Sequence, residues 1–221
     1  MTAWQEGMQP IISIVGKSDS GKTTLLEGLI AELKRRGHKL AVMKHSAEDF
    51  ELDTANKDTW RFSHAGSEVS AISSGHKLAV FKHLERDFSP IELSHFVSWD
   101  CDLVLTEGFK QSDCPKIEVH RKEQGAGLVS PPHQLLGVVT DEPLEVDVPQ
   151  FSKDEFHRIV DLIEQTTITQ HDEIDLLIND NYIPINPSFR NLLTRTMMAM
   201  VSGLKNVEIV KRLHLSLRRK V

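Results

Sequence analysis

Apolar residues run almost unbroken through Ile11-Ile12-Ser13-Ile14-Val15, and then the period changes. Leu25, Leu26, Leu29, Ile30 and Leu33 recur at three- and four-residue steps and stop near Gly37, so a buried strand is followed by an amphipathic helix. Lys39–Met43 alternates and predicts a second strand. Residues 57–62 read as a short helix stopped at Gly66. Val69–Ser73 and Lys77–Phe81 flank Ser74-Gly75-His76 as a hairpin. Ser89 and Pro90 are an N-cap and a first helical residue, opening a helix that runs to about Val97. Asp102-Leu103-Val104-Leu105-Thr106-Glu107 is an apolar strand ending in an acid and followed by Gly108. Lys116–Arg121 and Leu136–Asp141 are further strands, the second read as the last of the main sheet. Ser152 and Glu155 have capping-box spacing and are expected to start a helix through about Glu164. Strands alternating with helices in this way predict an α/β domain over residues 10–165, its sheet mostly parallel and helix-flanked.

Residues 1–9 read as a disordered start. Beyond a polar linker, Thr166–Glu173, the pattern changes again. Ile174–Ile178 and Ile183–Ile185 flank a turn at Asn179-Asp180-Asn181. From Pro187 an amphipathic helix carries Leu192, Leu193, Thr196, Met197, Met200, Val201 and Leu204 on one broad face, and Leu213–Leu217 reads as a strand. Residues 172–221 are therefore expected to form a small α+β (β-β-α-β) appendage. A methionine stripe of this kind is read as core. About fifty residues bury too little to stand comfortably alone, so the unit is expected to pack on the main body or on a partner.

Composition narrows the class. The chain has 221 residues, 39% of them hydrophobic and 26% charged, as in ordinary globular proteins. A formal charge of −6 argues against non-specific nucleic-acid binding. From Asp172 onward eight Lys and Arg face five Asp and Glu, a balance of +3 that leaves −9 for residues 1–171; the basic tail is read as a solvated face. Two cysteines, Cys101 and Cys114, make neither a disulfide framework nor a zinc motif. Eleven histidines form no His-rich tract. No signal peptide and no long apolar run is present, so the expected location is the cytoplasm, without membrane association.

The strand-to-helix corner carries the candidate chemistry. Gly16-x4-Gly21-Lys22-Thr23 has the spacing of a phosphate-binding P-loop, with the right flanks. Gly16, Lys17, Ser18, Asp19, Ser20, Gly21, Lys22, Thr23 and Thr24 would wrap a nucleoside triphosphate with backbone amides and the positive end of the helix. Lys22 would reach the β/γ-phosphates, and the Thr23 hydroxyl would join a Mg2+ shell. Ligand sites in open α/β sheets lie at the carboxyl ends of strands, where Glu107 stands as a metal ligand or water-orienting carboxylate; the alternative is a plain loop acid. Asp53, in an acidic loop, is a weaker candidate for the same neighbourhood. Thr140 and Asp141 end a strand at the same edge. Asp141 would either pair with the N1–H and amine of guanine or merely open the turn toward Pro143.

Taken together, Gly16-x4-Gly21-Lys22-Thr23-Thr24-Leu25, Lys44-His45, Asp53-x3-Lys57-Asp58-Thr59-x-Arg61, Ala65-Gly66, Glu107-Gly108-Phe109-Lys110 and Lys116-Ile117-Glu118-Val119-x-Arg121 resemble the MobB family of GTP-binding proteins in molybdopterin-guanine dinucleotide biosynthesis. The resemblance spans about residues 10–165 and implies a homodimeric P-loop NTPase with weak GTPase activity that assists the guanylyltransferase MobA. It implies GTP and Mg2+ as ligands, with molybdopterin as bound substrate. Asp53 and Glu107 would lie near the metal and the attacking water. Lys57, Arg61, Lys110 and Arg121 would serve the pterin phosphate or the nucleotide. Asn56 stands where the family usually has glycine, and asparagine is the residue that best tolerates a left-handed backbone there. Lys17 matches a signature lysine of related dimeric ATPases, but is read here as a solvated loop residue. Rival readings are a P-loop small-molecule kinase, which would want an arginine-rich lid, and a metallochaperone GTPase, which would want a His-rich or Cys-x-His tract; the sequence has neither. A binding module centred on the tail is the remaining alternative.

Overall fold

The computed structural model describes residues 10–46, 48, 50, 53–98, 101–125, 127–167, 174, 176–178, 181–183, 185–204, 210 and 213. They fall into two compact units that part just after the helix Phe156–Thr167.

The first unit is built on a six-stranded sheet: β1 (Ile11–Gly16), β2 (Leu40–Lys44), β5 (Leu103–Glu107), β6 (Lys116–Val119), β7 (Leu135–Val139) and β8 (Gln150–Phe151), in the order β2-β5-β1-β6-β7-β8. Every pairing in it is parallel. β1 is buried along its whole length, which is why its sequence is a continuous apolar run rather than an alternation. Its one polar interior residue, Ser13, accepts from the Thr106 hydroxyl at 2.9 Å. The β2–β5 register sets Lys44 opposite Glu107, and the β1–β6 register sets Gly16 opposite Val119. The carboxyl ends of four strands thus lie side by side. β8 is a strand the sequence reading omitted, so β7 is not the last of the sheet; a two-residue strand is too short to display a period.

Helix α1 (Lys22–Arg35) buries Leu25, Leu26, Leu29 and Leu33, and α4 (Phe156–Thr167) buries Ile159, Val160 and Ile163. The two approach so closely that a Cβ on Gly28 would stand 2.2 Å from the Phe156 ring. Arg36 then ties α1 to Asp161 and Glu164. α4 begins at Phe156, later than expected. Residues 152–155 form a turn in which the Glu155 carboxylate accepts from the Ser152 amide at 2.8 Å. Ile91 and Leu93 of α3 (Pro90–Val97) pack on Ile11, Ala41, Met43 and Val104. The expected Ser89 cap is present as a full capping box with Glu92. α2 (Asp58–His64) and the antiparallel pair β3 (Val69–Ser73) and β4 (Leu78–Lys82) complete the unit. Asn56 adopts φ +67, the left-handed conformation that glycine would take there.

The second unit contains the antiparallel pair β9 (Leu177–Ile178) and β10 (Asn181–Tyr182) and helix α5 (Pro187–Ser202). Asn181 pairs with Ile178 and so belongs to a strand, not to the turn. Asn186 caps α5 by accepting from the Phe189 amide at 2.8 Å. No side chain of α5 is buried; Leu192 and Met200 are 59% and 62% exposed. Leu193, Met197 and Val201 are half-buried while Leu192, Met200 and Leu204 are exposed, so the stripe is only partly covered and none of it is fully buried core. The expected strand Leu213–Leu217 lies outside the described residues apart from Leu213, as do residues 1–9 and most of the expected linker.

Candidate functional site

The loop between β1 and α1 turns through three unusual backbone positions. Gly16 has φ +145, Asp19 φ +57 and Gly21 φ +93. A Cβ on Gly16 would lie 2.3 Å from the Val119 carbonyl oxygen, which excludes any other residue there. Left-handed residues between right-handed ones turn successive amides to one side, making a concavity suited to an anion. Gly21 is the N-cap of α1 and supplies no side-chain cap, and the first turn holds no acid, so the helix terminus keeps its positive end open. The Ser20 hydroxyl, 1% exposed, has no hydrogen-bond partner among the described residues.

Lys22 and Thr23 open α1 beside this concavity. The Lys22 ammonium donates to the Lys17 carbonyl at 2.6 Å. Burial, followed by the neighbouring Lys110 charge, holds its pKa below that of an ordinary lysine. The Thr23 hydroxyl donates to Glu107 Oε2 at 2.9 Å, while Lys44 lies 3.2 Å from Glu107 Oε1. Glu107 is buried at the end of β5, so it is not a plain loop acid. Lys22, Lys44 and Glu107 face a cleft of about 770 Å3 that is also lined by Ser18, His45, Asp87, Phe88, Gly108, Phe109 and Lys110. His45 pairs with Asp87 at 2.9 Å and leans on the Phe109 ring, centroid to centroid 4.7 Å. Gly108 at φ +96 and Phe109 at φ +54 make the sharp turn that lays Phe109 and Lys110 along the cleft. Sequence reasoning gave Lys44 and His45 no role of their own; their place beside Glu107 comes from strand register, which no local pattern announces.

Other expected site residues are placed elsewhere. Asp53 accepts from the Thr59 hydroxyl at 3.0 Å, ahead of α2, and is not in the cleft lining. Its second oxygen is buried without a partner among the described residues. Lys57, the N-cap residue of α2, and Arg61 within the helix are both exposed, with Arg61 3.9 Å from Asp58. Asp141 accepts from the Lys122 amide at 2.9 Å, which holds its carboxyl below the usual range. Thr140 donates to the Glu142 carbonyl at 2.8 Å. Both therefore brace loops in this structure. Arg121 donates to the Ser20 carbonyl at 3.1 Å, on the outer side of the loop. Lys17 is no solvated lysine: its ammonium donates to the carbonyls of Gln124 at 2.7 Å and Gly125 at 3.3 Å.

The donor set decides what this corner can hold. Backbone amides, an open helix terminus and Lys22 suit an oligophosphate. Thr23 and Glu107 present one hydroxyl and one carboxylate at hydrogen-bond distance, a pair that fits Mg2+. Among the described residues no group of three or more His, Cys, Asp and Glu is placed to hold a metal, so the remaining oxygens would have to come from phosphate and water.

Comparison with known proteins agrees with this architecture. The family model for Molybdopterin guanine dinucleotide synthesis protein B, MobB, matches residues 11–141. The molybdopterin-guanine dinucleotide biosynthesis adapter protein of Haemophilus influenzae is 38% identical over 159 residues, covering 70% of this chain and 88% of the relative. That of Escherichia coli K12 is 30% identical over 165 residues, covering 71% and 92%. The crystal structure of Bacillus subtilis MobB superposes with a TM-score of 0.59 at 27% identity, over 73% of this chain and 99% of its own. With a parallel sheet, a glycine-bounded loop feeding α1 and a match from β1 to the end of β7, the chain belongs to the MobB family.

Proposed function

We propose that this chain is an adapter protein of molybdopterin-guanine dinucleotide biosynthesis that binds GTP with Mg2+ at the β1–α1 loop, hydrolyses it weakly and assists the guanylyltransferase of the pathway. The adapter role rests on the names of the relatives. The nucleotide reading rests on one observation above the rest: the Thr23 hydroxyl and Glu107 carboxylate meet at 2.9 Å beside an open helix terminus and Lys22. Thr23 and Glu107 would hold the magnesium ion, whose charge offsets that of the phosphates. Lys22 would exchange the Lys17 carbonyl for a phosphate oxygen, a stronger acceptor because it is charged. The cleft beyond Glu107, with Lys44, Lys110, His45 and Phe109, has room and charge for the anionic pterin. Asp53, Lys57, Arg61, Thr140 and Asp141 would serve this ligand or the base only after rearrangement. Slow hydrolysis fits a site to which no arginine finger has been added, since such a group contributes roughly 10³–10⁵ in rate. A homodimer and a cytoplasmic location complete the reading; among the described residues no helix is long and apolar enough to cross a membrane.

The test is competition of GTP against ATP for the purified chain, with and without Mg2+, then with molybdopterin and the transferase added. Magnesium-dependent, GTP-selective binding that persists beside the transferase is the expected result. Equal affinity for both nucleotides would remove the guanine assignment, and no binding of either would remove the whole reading.

A further inference from the structure

The outer side of the β1–α1 loop is fastened at four points to the segment that leaves β6. Gln124 Nε2 donates to the Ser18 carbonyl at 2.6 Å, and Arg121 Nε to the Ser20 carbonyl at 3.1 Å. Lys17 returns two bonds, to the Gln124 and Gly125 carbonyls. The segment is anchored in turn. Asp141 accepts from the Lys122 amide, and the buried Glu118 carboxylate accepts from the amides of Val129 at 2.6 Å and Ser130 at 2.9 Å. Burying that carboxylate is costly unless it is well bonded, and here both of its oxygens are satisfied.

A trans peptide points its C=O and the next N–H in opposite directions. Holding the Ser18 and Ser20 carbonyls outward therefore turns the amides of Asp19 and Gly21 to the inner side, where an anion would sit. The same fastening offsets a local cost. Asp19 stands at φ +57 without being glycine, a conformation that aspartate adopts at a modest cost.

We infer that Gln124 and Arg121, with Lys17 reciprocating, are positioning residues that pre-set the loop for oligophosphate. They touch the loop's carbonyls and not the ligand, and Gln124 gains a role that no sequence pattern marks. The inference rests on the triphosphate reading above and deepens it.

The test uses the full chain and two probes, GTP with Mg2+ and inorganic tripolyphosphate, titrated calorimetrically well below the melting temperature. Gln124→Met removes the donor at similar length; Gln124→Glu removes it at nearly constant shape. Loss of one hydrogen bond predicts roughly three- to tenfold weaker binding, by the same factor for both probes. Pairing Gln124→Met with Lys17→Met is expected to cost less than the product of the single losses, because either change already releases the clasp. A side chain that only stabilises the fold would lower the melting temperature and leave these affinities unchanged. Wild-type binding with unchanged affinity in both Gln124 variants overturns the clasp and leaves the triphosphate reading standing. Weakened GTP binding with unaltered tripolyphosphate binding assigns Gln124 to the nucleoside and also overturns it. If the wild-type chain binds neither probe, the triphosphate reading falls and the clasp with it.

Discussion

Lys22 shows how a site residue can be legible while its electrostatics are not. Its type and spacing follow from the glycine-bounded loop, but its lowered pKa depends on burial and on Lys110, which arrives from the turn after β5. Lys22→Ala is expected to abolish triphosphate binding, and an unchanged affinity by calorimetry would remove the central assignment. The pKa direction adds a second expectation. Free Lys22 loses its proton at a lower pH than the ordinary lysine value of about 10.4, while a phosphate beside it favours the charged form. Binding in the window between those two values must therefore take up a proton, and affinity must fall as pH rises through it. Calorimetry at alkaline pH in buffers of different ionisation enthalpy reads that uptake directly; zero uptake in the wild type counts against it. Glu107→Gln is expected to weaken magnesium-dependent hydrolysis more than nucleotide affinity, and equal loss of both would place Glu107 away from the metal. Gln124 stood outside the sequence reading altogether. It acts through a backbone carbonyl 106 positions away, and such a contact leaves no pattern.

At the scale of elements, legibility followed length and periodicity. β1, α1, β5 and the capped helix α3 were readable because each has a run, a stripe or a cap that belongs to one local geometry. β8 was not, because two residues carry no period. α4 was displaced at its start because the Ser152–Glu155 pair closes a turn before the helix rather than its first turn. The α1–α4 contact was equally silent in the sequence: Gly28 inside α1 reads as a weak helix former and is in fact the place where the Phe156 ring enters. Gly28→Ala pits a helix-propensity gain of up to about 1 kcal/mol against overpacking of about 1–3 kcal/mol. Packing is expected to win, lowering the melting temperature by about 2–4 °C per net kcal/mol. Trimming the ring with Phe156→Leu should return part of that loss in the double variant. If Gly28→Ala alone raises the melting temperature, the two helices do not meet as described.

For the molecule as a whole, one arrangement of strands decides where the chemistry sits. β1 lies between β5 and β6, so its carboxyl end opens between Glu107 on one side and the Arg121–Gln124 segment on the other. Every residue of the cleft belongs to the first unit. The family match ends at residue 141, and the Bacillus subtilis structure, matched over 99% of its length, takes up 73% of this chain. About a quarter of the chain therefore has no counterpart in that protein. The second unit's helix was readable from its stripe, but the exposure of Leu192, Met200 and Leu204 was not, because periodicity records that a face is apolar and not what covers it. If phosphate binding is a property of the first unit alone, removing residues 172–221 must leave GTP affinity unchanged, since the loop, Glu107 and the clasp all remain. The shortened chain keeps α4 and with it the packing under α1, so the fold that presents the loop is retained. Side-by-side titration of full-length and shortened chains checks this. If the shortened chain folds, by circular dichroism and a cooperative melt, yet no longer binds GTP, then the tail supplies part of the site.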